Sequence, residues 1–259
     1  MKPAAGNGRL LASPLASVVG GDDHVPATSG RTIACMADPC TLPARVLEAR
    51  GIIHGGRDPD ARVQTDAFRE IRTRLLSMIP DRNFITLVVP VGSGSGGSYV
   101  ARNLAAAFAL DETRTALLVD CNLRRPAQHQ VLGVEPTTGG LVDYLEHPAI
   151  GIQSVIYATG IARLRLLPAG RSRDADGEYF SSFRLRAVLD SLKCRYTDRY
   201  LFLDGPAVAG APDARILSEL ADLVVLVAGY GRDTPQAISQ AAAVFDPAIF
   251  AGVVFNERP

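Results

Sequence analysis

A doubly wound α/β domain, with a mainly parallel sheet between two helical layers (three-layer αβα), is the fold the sequence predicts for residues 61–259. Three observations predict it. Short, continuous apolar runs of strand length recur along the chain, as expected for strands buried on both faces. Segments of helical period lie between them, and that alternation builds parallel sheets. A Gly-rich turn joins the first run to a helix, the usual place for a ligand at the carboxyl ends of strands.

In chain order, residues 1–60 come first. They are rich in Gly, Pro, Ala, Ser and Asp without a sustained period and are expected to form a flexible tail. The start, MKPAAGNGRLLASPLASVVGG, lacks the charged entry and unbroken apolar stretch of a signal peptide. No apolar run reaches the ~20 residues that span a bilayer. ARVQTDAFREIRTRLLSM (61–78) places Val63, Phe68, Ile71, Leu75 and Met78 near helical spacing. FITLVVP (84–90) reads as the first strand, SYVARNLAAAFAL (98–110) as an Ala-rich helix, and TALLVD (115–120) as the second strand. Further strands are expected at 163–168, 199–204, 222–229 and 250–256, with helices at 139–146, 178–195, 213–220 and 235–244.

Composition narrows the function. With 27 basic and 27 acidic residues the chain has no global field to recruit nucleic acid. Lys2 and Lys193 are its only lysines. The four cysteines (Cys35, Cys40, Cys121, Cys194) and four histidines follow no disulfide or zinc spacing. They are expected to be reduced thiols and ordinary imidazoles of a cytoplasmic protein.

The turn VVPVGSGSGGSYVARN has two functional readings, because successive N–H groups at a helix start cradle anions. Gly92, Gly94 and Gly97 fit G-x-G-x-x-G, with Asp120 ending the next strand where a ribose-binding acid belongs, which points to NAD(P). Alternatively Gly96-Gly97-Ser98 occupies the G-K-S slot of a degenerate P-loop. Ser98 then faces a metal, and Gly97 replaces the lysine that reaches the β/γ-phosphates. A strand-to-helix turn that binds nothing also satisfies the loop alone.

The rest of the chain carries a family resemblance that favours the P-loop. LLVDCNLRRP resembles the Walker A′ motif of bacterial tyrosine kinases (BY-kinases), Asp-x-Asp-Leu-Arg-Arg-Pro. Asp120, Leu123, Arg124, Arg125 and Pro126 match, and Asn122 stands for the second aspartate. RYLFLDGPAV resembles their Walker B strand, with Asp204 and Pro206, and PDARILSELADLVVLV resembles the family's stretch after Walker B. FAGVVFN, ending in Asn256, resembles a late strand. The resemblance runs from about residue 62 to 256 and extends to the wider MinD/ParA class.

It implies a P-loop NTPase-like fold, ATP or ADP with Mg²⁺, and a place in exopolysaccharide or capsule biosynthesis beneath a transmembrane chain-length-control (co-polymerase) protein, at the inner face of the plasma membrane. Nucleotide would lie on Gly92, Gly94, Gly96, Gly97 and Ser98, metal on Ser98, Asp120 and Asp204, and any remaining catalysis on Asp120 and Asp204. The family's Glu-x-x-Arg-x-x-Arg helix, which contacts a neighbouring subunit, corresponds to Asp66, Arg69 and Arg72, implying a homo-oligomer or a hetero-oligomer with an active kinase.

Three departures weaken phosphoryl transfer: Gly97 for lysine, Asn122 for aspartate, and a sequence ending NERP without the family's tyrosine cluster. The expectation is a pseudokinase, the alternative an active kinase or slow ATPase with an atypical loop. A lysine restored at 97 is expected to strengthen nucleotide binding about 10- to 100-fold.

Overall fold

The structure, a computed structural model, describes residues 41–55, 59–171, 179–209 and 212–256. In chain order the elements are α1 (Ala44–Ala49), α2 (Pro59–Met78), β1 (Ile85–Pro90), α3 (Gly97–Ala109), β2 (Thr115–Asp120), α4 (Gln128–Leu132) and α5 (Leu141–Glu146). Then come β3 (Tyr157–Ala158), β4 (Leu164–Leu167), α6 (Phe183–Cys194), β5 (Arg199–Asp204), α7 (Asp213–Ser218), β6 (Leu223–Gly229), α8 (Pro235–Ala242) and β7 (Phe250–Asn256). All six expected strands are present; β3, only two residues long, was not expected.

The sheet runs β3-β4-β2-β5-β1-β6-β7, and every pairing is parallel except β3 with β4. Side chains alternate between its faces. Ile85, Leu87 and Val89 of β1 meet Leu145, Leu189 and Leu217 from α5, α6 and α7. Val88, Leu118 and Phe202 instead meet Leu75, Leu104 and Phe108 from α2 and α3. The Ala-rich stretch of α3 lets it lie close on the sheet, its alanines 105–107 fully buried. This is the three-layer α/β fold that the sequence predicts.

The α2 pattern differs at its ends. Phe68 and Leu75 are buried, whereas Val63 and Met78 are largely exposed, so the apolar stripe is narrower than the spacing suggests.

The domain boundary expected at residue 60 falls too late. Leu47, Ile52 and Ile53 are buried in the core cluster of α2 and α3. The buried Asn103 of α3 accepts from Ile53 N (2.8 Å) and donates to Gly51 O (2.9 Å), tying this segment to the domain. Three apolar side chains among Gly, Pro and Arg make no periodic pattern, which is why the sequence reads as tail here. The rest of that tail, residues 1–40 with Lys2, Cys35 and Cys40 and residues 56–58, lies outside the described residues, as do Glu178 and the last three residues, 257–259.

Candidate functional site

Strand parity builds the site. Asp120 and Asp204 end β2 and β5 in the same register, and both carboxylates point to the face covered by α3. Both are essentially buried, at 0% and 1% exposure. On α3, Ser98 Oγ donates to Asp204 Oδ1 at 3.0 Å. Three residues expected in one site are therefore brought together.

Each of their four oxygens, however, already accepts an N–H or O–H donor. Asp120 Oδ1 accepts from Asn122 N (3.2 Å), and Oδ2 accepts from Ala127 N and Gln128 N (both 3.1 Å), so this side chain caps the start of α4. Asp204 Oδ2 accepts from Gln128 Nε2 at 2.7 Å. Burial, and for Asp120 the facing Asp204 carboxylate, raise both acids well above the usual carboxylate range. The hydrogen bonds from Gln128 and Ser98 and the charge of Arg102 partly oppose this at Asp204.

The Gly-rich loop shows why lysine is absent at 97. A Cβ there would stand 2.5 Å from Pro90 Cδ, so the proline ring at the end of β1 fills the space into which a side chain would leave. Gly96, the residue before α3, has φ +91°, and a Cβ on it would meet Asn256 Nδ2 at 2.0 Å. That asparagine amide also donates to Ser95 O (3.3 Å), so the end of β7 walls the loop.

Two arginines bracket the loop crest. Arg125 Nη1 donates to Ser93 Oγ (3.0 Å) and Arg232 Nη1 to Ser93 O (3.4 Å). Lys193 offers no substitute cation: it pairs with Asp222 at 2.7 Å, beside the start of β1 and far from the loop. Arg102, which the sequence places along the helix and away from the loop, points inward instead, with Nη1 on Gln128 Oε1 (3.2 Å) and Ser98 O (3.4 Å). Sequence reasoning missed Gln128 and Arg232 altogether.

The dinucleotide reading does not survive the topology. A ribose-binding acid must end a strand next to β1, but β5 lies between β1 and β2. Both oxygens of Asp120 are moreover engaged by the backbone of its own loop.

A divalent cation fits the residues poorly. Mg²⁺ needs oxygens with free lone pairs. Every oxygen of the two carboxylates already accepts a donor, Asn122 lacks the second charge, and the Arg102 guanidinium already lies within the field of Asp204. Among the described residues no group of three or more His, Cys, Asp or Glu converges as a metal site.

Of the expected contact residues on α2, Asp66 and Arg69 form an exposed ion pair at 3.0 Å. Arg72 turns inward instead: its Nη1 donates to Ala107 O (2.8 Å) on α3, and burial lowers its pKa. It straps two helices together and is not displayed beside Arg69.

The chain aligns over 182 residues with the tyrosine-protein kinase wzc of Salmonella typhi at 29% identity, covering 70% of this chain and 25% of that protein. The chain is a homologue of the bacterial tyrosine kinases. The succinoglycan biosynthesis transport protein ExoP of Rhizobium meliloti is 30% identical over 173 residues, 62% of this chain and 21% of that one. This BY-kinase homologue thus spans only about a quarter of the length of such relatives. Among solved structures, the kinase domain of Escherichia coli ETK superposes with a TM-score of 0.70 at 22% identity, covering 86% of this chain and 83% of that one. The cell-division ATPase MinD of Pyrococcus furiosus superposes at 0.54 with 28% identity, covering 66% and 70%. No family model matches the chain. No described helix is long and apolar enough to cross a membrane.

Proposed function

We propose that this BY-kinase homologue is a non-catalytic subunit in exopolysaccharide or capsule biosynthesis and export. It acts by contact on a transmembrane co-polymerase partner at the inner face of the plasma membrane. ATP or ADP is held weakly or not at all. One observation carries the reading: the position of the phosphate-binding lysine is Gly97, and the Pro90 ring occupies its exit path. Phosphoryl transfer depends on positioning and neutralising the β/γ-phosphates, and losing a charged contact there costs about 10- to 150-fold in affinity alone. The donors already held by both carboxylates support the same reading, as does the pathway named in the relative ExoP.

Contact then becomes the function, and α2 supplies the surface. Asp66 and Arg69 line a polar cleft with His54, Arg62 and Thr65. Self-association, or association with an active kinase, would use this face. Reversing Arg69 alone (Arg69→Glu) breaks only an exposed pair worth about 0–1 kcal/mol to folding. The variant should melt within a degree or two of the native protein, yet lose co-purification with the membrane partner. Arg72→Glu should instead lose roughly 2 kcal/mol of stability, because a charged hydrogen bond to Ala107 O goes with it. Normal co-purification of Arg69→Glu would remove α2 from the contact surface.

A further inference from the structure

A group of buried polar side chains lies beneath the start of α3. Asp120 and Asp204 face each other in register, Gln128 is fully buried, and Arg102 is 6% exposed. Two carboxyl groups enclosed together repel one another when both are ionised, so such a pair holds a proton or sits beside positive charge. Among the described residues no lysine reaches them, Lys193 being paired with Asp222. The guanidinium of Arg102 does so through one intermediate: Nη1 donates to Gln128 Oε1 (3.2 Å), and Gln128 Nε2 donates to Asp204 Oδ2 (2.7 Å). The same amide donates to Ser98 O (2.9 Å), which locks its orientation.

Arg102 itself is poorly served by neutral partners. Its Nε is buried without a hydrogen bond, and the Tyr99 ring lies 5.9 Å from its guanidinium carbon. A guanidinium so placed would be costly in an apolar site and is tolerated because the carboxylate charge is near.

We propose that Arg102, linked through Gln128, is a built-in counter-ion for the charge of the Asp120/Asp204 pair. Its guanidinium offsets one carboxylate charge of the pair without metal. This rests on the reading of the site as metal-poor, and it adds a cause: a covalently attached cation lies where its field reaches Asp204.

The test is thermal melting of the full chain with and without millimolar Mg²⁺ at matched ionic strength. The native protein should not respond. Arg102→Met and Arg102→Gln, the second of which keeps a hydrogen-bonding group for Gln128, should melt lower and regain about 4 °C or more with Mg²⁺. Arg102→Lys keeps the charge and should stay insensitive. Should Arg102→Met fail to fold, Arg102→Gln carries the comparison. A native protein that Mg²⁺ stabilises would overturn both the counter-ion and the metal-poor reading. A silent native protein with silent neutral variants would overturn the counter-ion alone.

Discussion

A chain begun at Ala61 is expected to be molten or insoluble, whereas one begun at Thr41 should fold. Removing residues 41–60 uncovers the sites of Leu47, Ile52 and Ile53, each worth roughly 1.5–3 kcal/mol when buried. It also strips the buried Asn103 side chain of two of its partners, Ile53 N and Gly51 O, at about 1–3 kcal/mol for each group left unpaired. Together these losses approach the whole stability of an ordinary domain, roughly 5–15 kcal/mol. Urea unfolding of the two truncations separates the cases. A cooperative transition of native midpoint in the Ala61 chain would show that this segment only decorates the surface.

Restoring the P-loop lysine should fail as a single change. Gly97→Lys drives a Cβ against Pro90 Cδ, 2.5 Å away, and the rigid ring cannot swing aside. Overpacking of this kind costs about 1–3 kcal/mol, so the variant should be less stable and bind ATP no better than the native chain. Pro90→Ala combined with Gly97→Lys removes the obstruction, and there the full charged contact, about 10- to 100-fold in affinity, should appear. The sequence alone suggests that gain for the single variant; the ring that prevents it lies seven residues upstream and meets residue 97 only once β1 and α3 are packed. Calorimetric titration of the single and double variants reads both outcomes. A single variant that gained the affinity would mean that the ring yields.

Legibility in the sequence tracked burial. Strands covered on both faces must be apolar throughout, so β1, β2, β5 and β6 stood out as runs, and the ends of β2 and β5 located Asp120 and Asp204; β4 and the edge strand β7, less completely covered, were readable from their apolar residues. Elements held by a few long-range contacts left no pattern. The five residues of α4 are set by the Asp120 carboxylate, and α1 is tied down by Arg50 donating to Leu132 O (3.0 Å). Gln128 was invisible for the same reason, since only the fold brings it beside Ser98 and Asp204. Arg102 did leave a signal: an arginine inside YVARNLAAAFAL, where every neighbour marks a buried helix face, calls for a buried anion.

Titration of ATP into the native chain, once with excess Mg²⁺ and once with EDTA, tests the central claim most directly. A degenerate loop with no lysine and with both carboxylates already satisfied predicts weak or undetectable heat, the same in both buffers. Saturable micromolar binding that requires Mg²⁺, with transfer of the γ-phosphoryl group to tyrosine, would contradict it.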